Sequence, residues 1–159
     1  MAPQFPHDRD IGLAGHCGMA PQWALPWPTM DAADENAALE VLGANQSLYD
    51  AFEARDMAAM RALWIGDGEV LCTHPGWPTL HGAGAVLASW DTLLNNDQHL
   101  QFIVTNARAT VVGDAGWVTC DENVLGGGGG GTVAALNLFR RRADGTWQVV
   151  GHHGSPIIT

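Results

Sequence analysis

Four strand-like runs close the chain, within residues 101–153, which read QFIVTNARATVVGDAGWVTCDENVLGGGGGGTVAALNLFRRRADGTWQVVGHH. Each run is rich in β-branched, aromatic or other apolar residues, and short stretches containing Gly or Asp separate the runs, which is typical of hairpins. The runs cover residues 101–112, 117–125, 132–141 and 147–153. Strands that follow one another through short turns form an antiparallel meander, so we expect a largely antiparallel sheet.

Helical patterns come before this meander. Apolar residues recur at intervals of three and four, which indicates amphipathic helices. Three helices are predicted, over residues 31–55, 57–64 and 83–94, with a strand over residues 69–74. Thr29 or Asp31 can cap the first helix and Asp56 the second. Helices gathered before an antiparallel meander predict the α+β fold class.

The first 30 residues differ in composition from the rest of the chain. Five prolines and three glycines interrupt residues 1–30, so no long helix or strand is expected there. Trp23, Leu25 and Trp27 alternate along this segment. It is either a disordered leader or an arm that packs on its own domain or on a partner subunit, and the alternation favours an arm over residues 20–30. Residues 31–159 then form a single domain.

Composition and charge exclude several classes of function. The 159 residues include seven Arg, no Lys and seventeen Asp plus Glu, which gives a formal charge of −10. An acidic chain is a poor partner for nucleic acid or an anionic membrane. The sequence contains neither an apolar run of about twenty residues nor a signal-peptide pattern, so a cytoplasmic location is expected. Without lysine, Schiff-base catalysis cannot occur.

Cysteine, glycine and histidine patterns predict no cofactor and no metal. Cys17, Cys72 and Cys120 lack CxxC spacing and are interpreted as reduced thiols. The glycine run at 126–131 lacks the Lys-Ser/Thr ending of a phosphate-binding loop, so a flexible hairpin is predicted instead. The seven histidines include no HxH or HExxH motif.

Four short motifs carry a family resemblance. They are AFEARDM at 51–57, LWIGDGEV at 63–70, THPGWP at 73–78 and WQVVGHHGSP at 147–156. In this order they resemble the SnoaL-like branch of the nuclear-transport-factor-2-like superfamily, which includes ketosteroid isomerases and polyketide cyclases. The resemblance implies a cone-shaped α+β barrel in which helices pack on a curved, mostly antiparallel sheet and enclose a pocket. Because this fold hosts both enzymes and assembly domains, function must be argued from the site.

Two polar residues are the first candidates for catalysis. His74 ends the predicted strand before Pro75, and the ketosteroid isomerases that the chain resembles have an Asp before a proline that moves the proton. Imidazole also suits proton transfer near neutrality. Glu122 shares a strand face with apolar residues, where desolvation raises the pKa of a carboxyl group. The alternatives are a loop-tethering hydrogen bond for His74 and an ion pair with Arg108 for Glu122.

A third catalytic residue is expected near the end of the chain. His152 and His153 are adjacent in a predicted strand, so at most one of them can face the pocket. His153 is predicted to do so because it shares its face with Trp147 and Val149.

Polar and aromatic residues elsewhere are predicted to bind a ligand: Asn45, Tyr49, Trp64, Trp77 and Trp90. Asn45 and Tyr49 are four residues apart on the apolar face of the first helix. The alternatives are a core amide for Asn45 and a hydroxyl that reaches the surface for Tyr49. The oxyanion tyrosine of the isomerases would fall at Leu48, one residue from Tyr49, so the same steroid chemistry is not supported. The tryptophans line an apolar cavity or pack in the core.

Two functions are consistent with these residues. One is binding of a small hydrophobic metabolite by a cofactor-free isomerase, cyclase, dehydratase or hydrolase that uses His74 and Glu122 for proton transfer. The other is a non-catalytic ligand-binding or assembly domain. A homodimer through the sheet face is expected in both cases, because both faces of the run at 132–141 are largely apolar.

Overall fold

The computed structural model describes residues 32–96, 100–126 and 129–158. The helices are α1 (Ala32–Glu53), α2 (Met57–Leu63) and α3 (Ala83–Leu94). The strands are β1 (Leu71–Thr73), β2 (Leu80–His81), β3 (Gln101–Val112), β4 (Ala115–Gly126), β5 (Gly129–Arg141) and β6 (Trp147–Pro156). The predictions for the arm, for Cys17 and for the cap of the first helix lie outside the described residues.

The strands form one sheet in the order β2-β1-β6-β5-β4-β3. All neighbouring pairs are antiparallel except β1 and β6, which are parallel. The three helices cover one face of the sheet, and α1 packs across β3 and β4. The predicted α+β class, with helices on a curved and mostly antiparallel sheet, is confirmed.

Local sequence signals determine where the helices begin and end. Arg55 adopts a positive φ of 54°, which ends the first helical segment. Asp56 then caps α2, because its side chain accepts a hydrogen bond from the Ala59 backbone N–H at 2.9 Å. Gly82, with φ of 82°, precedes α3 in a conformation that favours glycine. These turns bring the apolar faces of all three helices onto the sheet.

The core lies between the helices and the inner face of the sheet. It contains Val41 and Leu48 of α1, Met60 of α2 and Val86 of α3, each at most 1% exposed. Cys72 and Cys120 are buried there as free thiols, and burial raises the pKa of Cys72 to about 12. Both cysteines therefore behave as small core residues.

A β-bulge in β6 reverses the expected orientation of His152 and His153. Leu138 pairs with Gly151 while Phe139 pairs with Val149, so Val150 is an extra residue on β6. A bulge shifts the alternation of inward and outward side chains. As a result, His152 is buried on the inner face and His153 is exposed on the outer face. The prediction that His153 faces the pocket is wrong.

A second irregularity interrupts β3. The pairing with β4 shifts between Thr105 and Arg108, and Asn106 has a positive φ of 56°. Bulges bend a strand and increase its twist, so both irregularities contribute to the curvature of the sheet. Gly126 at the end of β4 pairs with Gly129 at the start of β5. This pairing agrees with the hairpin predicted for the glycine run.

Candidate functional site

A cavity of about 250 Å³ lies between the helices and the inner face of the sheet. Its wall is mostly apolar and aromatic, formed by Leu48, Phe52, Pro75, Trp77, Trp90, Leu93, Leu100, Phe102, Val124 and Val133. Among the described residues, four polar side chains line it: Tyr49, His74, Glu122 and His152. An apolar cavity with a few convergent polar groups is typical of a small-molecule site.

Glu122 is the carboxylate of the cavity. It is 4% exposed, and its Oε1 accepts a hydrogen bond from the Tyr49 hydroxyl at 2.8 Å. Burial raises the pKa of Glu122 to about 7, although the Tyr49 hydrogen bond favours the ionised form. Glu122 therefore exchanges a proton near neutral pH. The alternative ion pair is not formed, because Arg108 lies exposed on the opposite face of the sheet.

A buried amide network supports this carboxyl–hydroxyl pair. Asn137 of β5 donates from Nδ2 to Asn45 Oδ1 at 2.8 Å and to the Tyr49 hydroxyl oxygen at 3.0 Å. Its Oδ1 lies 2.6 Å from Nδ1 of His152. Asn137 thus connects residues of α1 and β6 behind the cavity wall.

His74 follows β1 and lines the cavity beside two tryptophans. Its Nε2 lies 2.9 Å from the Ser89 hydroxyl oxygen on α3. Its ring contacts Trp77 and Trp90 edge to face, with centroids 5.3 and 4.7 Å apart. The hydrogen bond to Ser89 tethers His74 to α3. His74 therefore both forms this tether and lines the cavity.

Both buried histidines are held neutral. Desolvation lowers the pKa of His74 to about 4. Desolvation, together with repulsion from His74 and His153, lowers the pKa of His152 to about 3. At neutral pH the cavity therefore contains two neutral imidazoles and one carboxyl group that is partly protonated. Such a site suits an uncharged ligand.

The structure brings five of the predicted site residues together around the cavity: Tyr49, His74, Trp77, Trp90 and Glu122. Asn45 and Trp64 are buried but do not line it. Asn45 is a core amide bonded to Asn137, and Trp64 packs on Trp90 with centroids 6.3 Å apart. Asn45 and Trp64 therefore lie in the core, as the alternatives to ligand binding state, and do not reach the cavity surface.

Sequence reasoning missed Asn137 and Ser89 and did not choose His152. Asn137 alternates with Val133, Ala135 and Phe139 on the inner face of β5, which is the same pattern that singled out Glu122. That signal was therefore present in the sequence. No comparable pattern marks Ser89, because its role depends on the position of His74 in the fold.

No three His, Cys, Asp or Glu side chains among the described residues are arranged to hold a metal ion. Within the same ranges, no helix is long and apolar enough to cross a membrane.

Comparison with known families agrees with this geometry. Residues 41–159 match the model of the SnoaL-like domain. The chain belongs to the SnoaL-like family. The predicted relationship to the nuclear-transport-factor-2-like superfamily is thereby confirmed. A search of curated proteins finds no match for this SnoaL-like domain.

Solved structures show the same fold. A candidate dehydratase of the NTF2-like family from Streptomyces avermitilis is 39% identical over 79% of this chain and 99% of its own, with a TM-score of 0.73. A candidate calcium/calmodulin-dependent protein kinase type II association domain from Thiobacillus denitrificans is 31% identical over 74% and 94%, with a TM-score of 0.64. A candidate ketosteroid isomerase from Parabacteroides distasonis, 14% identical over 74% and 85%, shares the fold with a TM-score of 0.58.

Proposed function

We propose that this SnoaL-like domain binds a small, flat, hydrophobic molecule and catalyses a cofactor-free proton transfer on it, with Glu122 and His74 as the groups that move the proton. The observation that carries the proposal is a buried carboxyl group with a pKa of about 7 in a mostly apolar cavity. A catalytic acid or base works best when its pKa is close to the working pH. Perturbed carboxyl groups of this kind concentrate at functional sites.

The size of the cavity supports a ligand of about two fused rings. A dry cavity of about 150 Å³ holds a benzene molecule, and this one measures about 250 Å³. Trp77, Trp90 and Phe102 supply flat aromatic surface for such a ring system. An anionic ligand would have to be desolvated without a cationic side chain among the described residues that line the cavity, which is costly.

Dehydration is the reaction that we favour among isomerisation, cyclisation, dehydration and hydrolysis. In a dehydration, a base takes a proton from a carbon atom, the electron pair forms a double bond, and the leaving hydroxyl takes a proton and departs as water. Glu122 in its protonated form gives the proton to the leaving hydroxyl, neutral His74 takes the proton from carbon, and return of that proton from His74 to Glu122 restores both groups, which line the same cavity. The similarity to a candidate dehydratase, at 39% identity, favours this class over the others.

Binding of 2-naphthol, an uncharged two-ring probe, tests the proposal. Isothermal titration calorimetry is expected to give one site per chain for the wild type. Glu122→Gln and His74→Gln are expected to weaken binding several-fold, since each alters a polar contact in the cavity. His153→Gln is the matched control on the outer face and is expected to bind like the wild type. Equal binding by all four proteins would contradict the proposal.

The outer face of the sheet favours a second role, as a homodimer interface. Ile103, Leu125 and Leu136 are 54%, 45% and 36% exposed, and strand register places all three on the face away from the helices. The 31% identical kinase association domain has a related fold. Native mass spectrometry is expected to show a dimer that Leu136→Asp dissociates. Leu39→Asp, at a 66% exposed position on α1, is the control that should remain dimeric.

A further inference from the structure

Asn137 lies at the centre of the hydrogen bonds behind the cavity and is fully buried. We propose that Asn137 is a positioning residue that holds His152 in the Nδ1–H tautomer, so that the Nε2 lone pair of His152 can accept a hydrogen bond from a ligand. This inference rests on the proposed ligand site, although its first test needs no ligand.

The Tyr49 hydroxyl determines which way the Asn137 amide points. The Tyr49 proton is used in the 2.8 Å bond to Glu122 Oε1, which accepts as a carboxylate oxygen and, when the group is protonated, as the carbonyl oxygen of the acid. The Tyr49 oxygen is then an acceptor toward Asn137, and the atom that faces it at 3.0 Å is Nδ2. The second N–H of Nδ2 is directed to Asn45 Oδ1 at 2.8 Å. Both amide protons are thus engaged, which leaves Oδ1 for a donor.

The only atom of His152 that reaches Asn137 is Nδ1, at 2.6 Å from Oδ1. A carbonyl oxygen accepts and cannot donate, so Nδ1 must carry a proton. Burial and the neighbouring His74 keep His152 neutral. In a neutral imidazole with Nδ1 protonated, Nε2 has a free lone pair. Because His152 lines the cavity, we infer that a ligand N–H or O–H can be recognised there.

His74 has the opposite tautomer, which provides an internal comparison. The Ser89 hydroxyl donates its single proton to the Val86 carbonyl at 2.7 Å. Its oxygen must therefore accept from His74 Nε2–H at 2.9 Å. The two histidine rings are 6.0 Å apart, so both experience the same cavity but differ in which nitrogen is protonated. The difference arises from Asn137 and Ser89.

Long-range ¹H–¹⁵N NMR of histidine-labelled protein reads tautomers directly, with His152→Gln to assign the resonances. The wild type at neutral pH is expected to show His152 protonated at Nδ1 and His74 protonated at Nε2. Asn137→Leu, which removes the acceptor, is expected to give His152 a mixture of tautomers while His74 is unchanged. Asn123→Leu, an amide on the outer face that bonds Ile103 and Thr105, is the matched control and should leave both histidines unchanged.

Two results would overturn the proposal. The first is a wild-type His152 protonated at Nε2, which needs no variant to detect. The second is a folded Asn137→Leu protein whose His152 keeps the Nδ1–H tautomer. Neither result depends on ligand binding. If Glu122→Gln and His74→Gln left the binding of 2-naphthol unchanged, that result would count against the proposed function alone.

Discussion

Replacement of Glu122 by Gln should change how the stability of the protein depends on pH. The Tyr49 hydroxyl can still donate to the Gln oxygen, so the substitution removes the titrating group but keeps this contact. In the folded wild type, burial raises the Glu122 pKa from 4.5 to about 7. Because the folded pKa is raised, the associated stability is fully present below pH 4.5 and is lost as the pH rises through 7.

The magnitude follows from the two pKa values. A tenfold change in proton affinity is worth about 1.4 kcal/mol, so a rise from 4.5 to about 7 corresponds to about 3 kcal/mol. Glu122 is only 4% exposed, so solvent screening does not reduce this figure much. The free energy of unfolding of Glu122→Gln, minus that of the wild type, should therefore increase by about 3 kcal/mol between pH 4.5 and about pH 8.

Urea unfolding at a series of pH values, followed by tryptophan fluorescence at one protein concentration, measures this difference. Subtraction of the two curves cancels the titration of all other groups that the substitution does not affect. Glu69→Gln makes the same chemical change at an exposed position and should follow the wild type. A difference between Glu122→Gln and the wild type that stays constant with pH would refute the claim that Glu122 binds its proton near neutrality.

Three further predictions concern the Tyr49–Glu122 hydrogen bond, the cap of α2 and the two buried histidines. Tyr49→Phe should raise the pKa of Glu122 further, because the lost hydrogen bond favours the carboxylate, and a ¹³C NMR titration of the carboxyl carbon would detect it. Asp56→Ala should lower the free energy of unfolding by about 1 kcal/mol by removing the cap of α2, measured by urea unfolding. In Glu122→Gln, stability should fall as the pH drops from 6.5 through 4, since His74 and His152 have lowered pKa values and their stabilisation is present only above that range. Equal stability at pH 4 and pH 7 would contradict this last expectation.

The regular elements of this fold could be predicted because their sequence patterns are local. The third helix and the first long strand occupy the ranges 83–94 and 101–112 that periodicity indicates. β2 was not predicted, because a strand of two residues carries no periodic signal and depends on its pairing with β1. The inner position of Glu122 followed from alternation alone, since β4 pairs regularly with β5 along its whole length.

His152 and His153 show the limit of predicting a side chain's face from alternation along a strand. Alternation along a strand predicts a face only while the strand is regular, and the extra residue Val150 reverses the faces after it. Whether a bulge forms depends on how β6 pairs with β5, which is a long-range property. The network of Asn45, Asn137 and His152 could not be predicted as a set either, because its two hydrogen bonds join residues that are 92 and 15 positions apart.

Above all, we propose that a small flat molecule binds among the aromatic residues and reaches the buried carboxyl group. A crystal structure of the protein with 2-naphthol tests this claim most directly. We expect the rings to contact Trp77, Trp90 and Phe102, with the hydroxyl within hydrogen-bond distance of Glu122, His74 or His152. Density for the probe only on the outer face of the sheet, or an empty cavity at a probe concentration that saturates the protein in solution, would contradict the account.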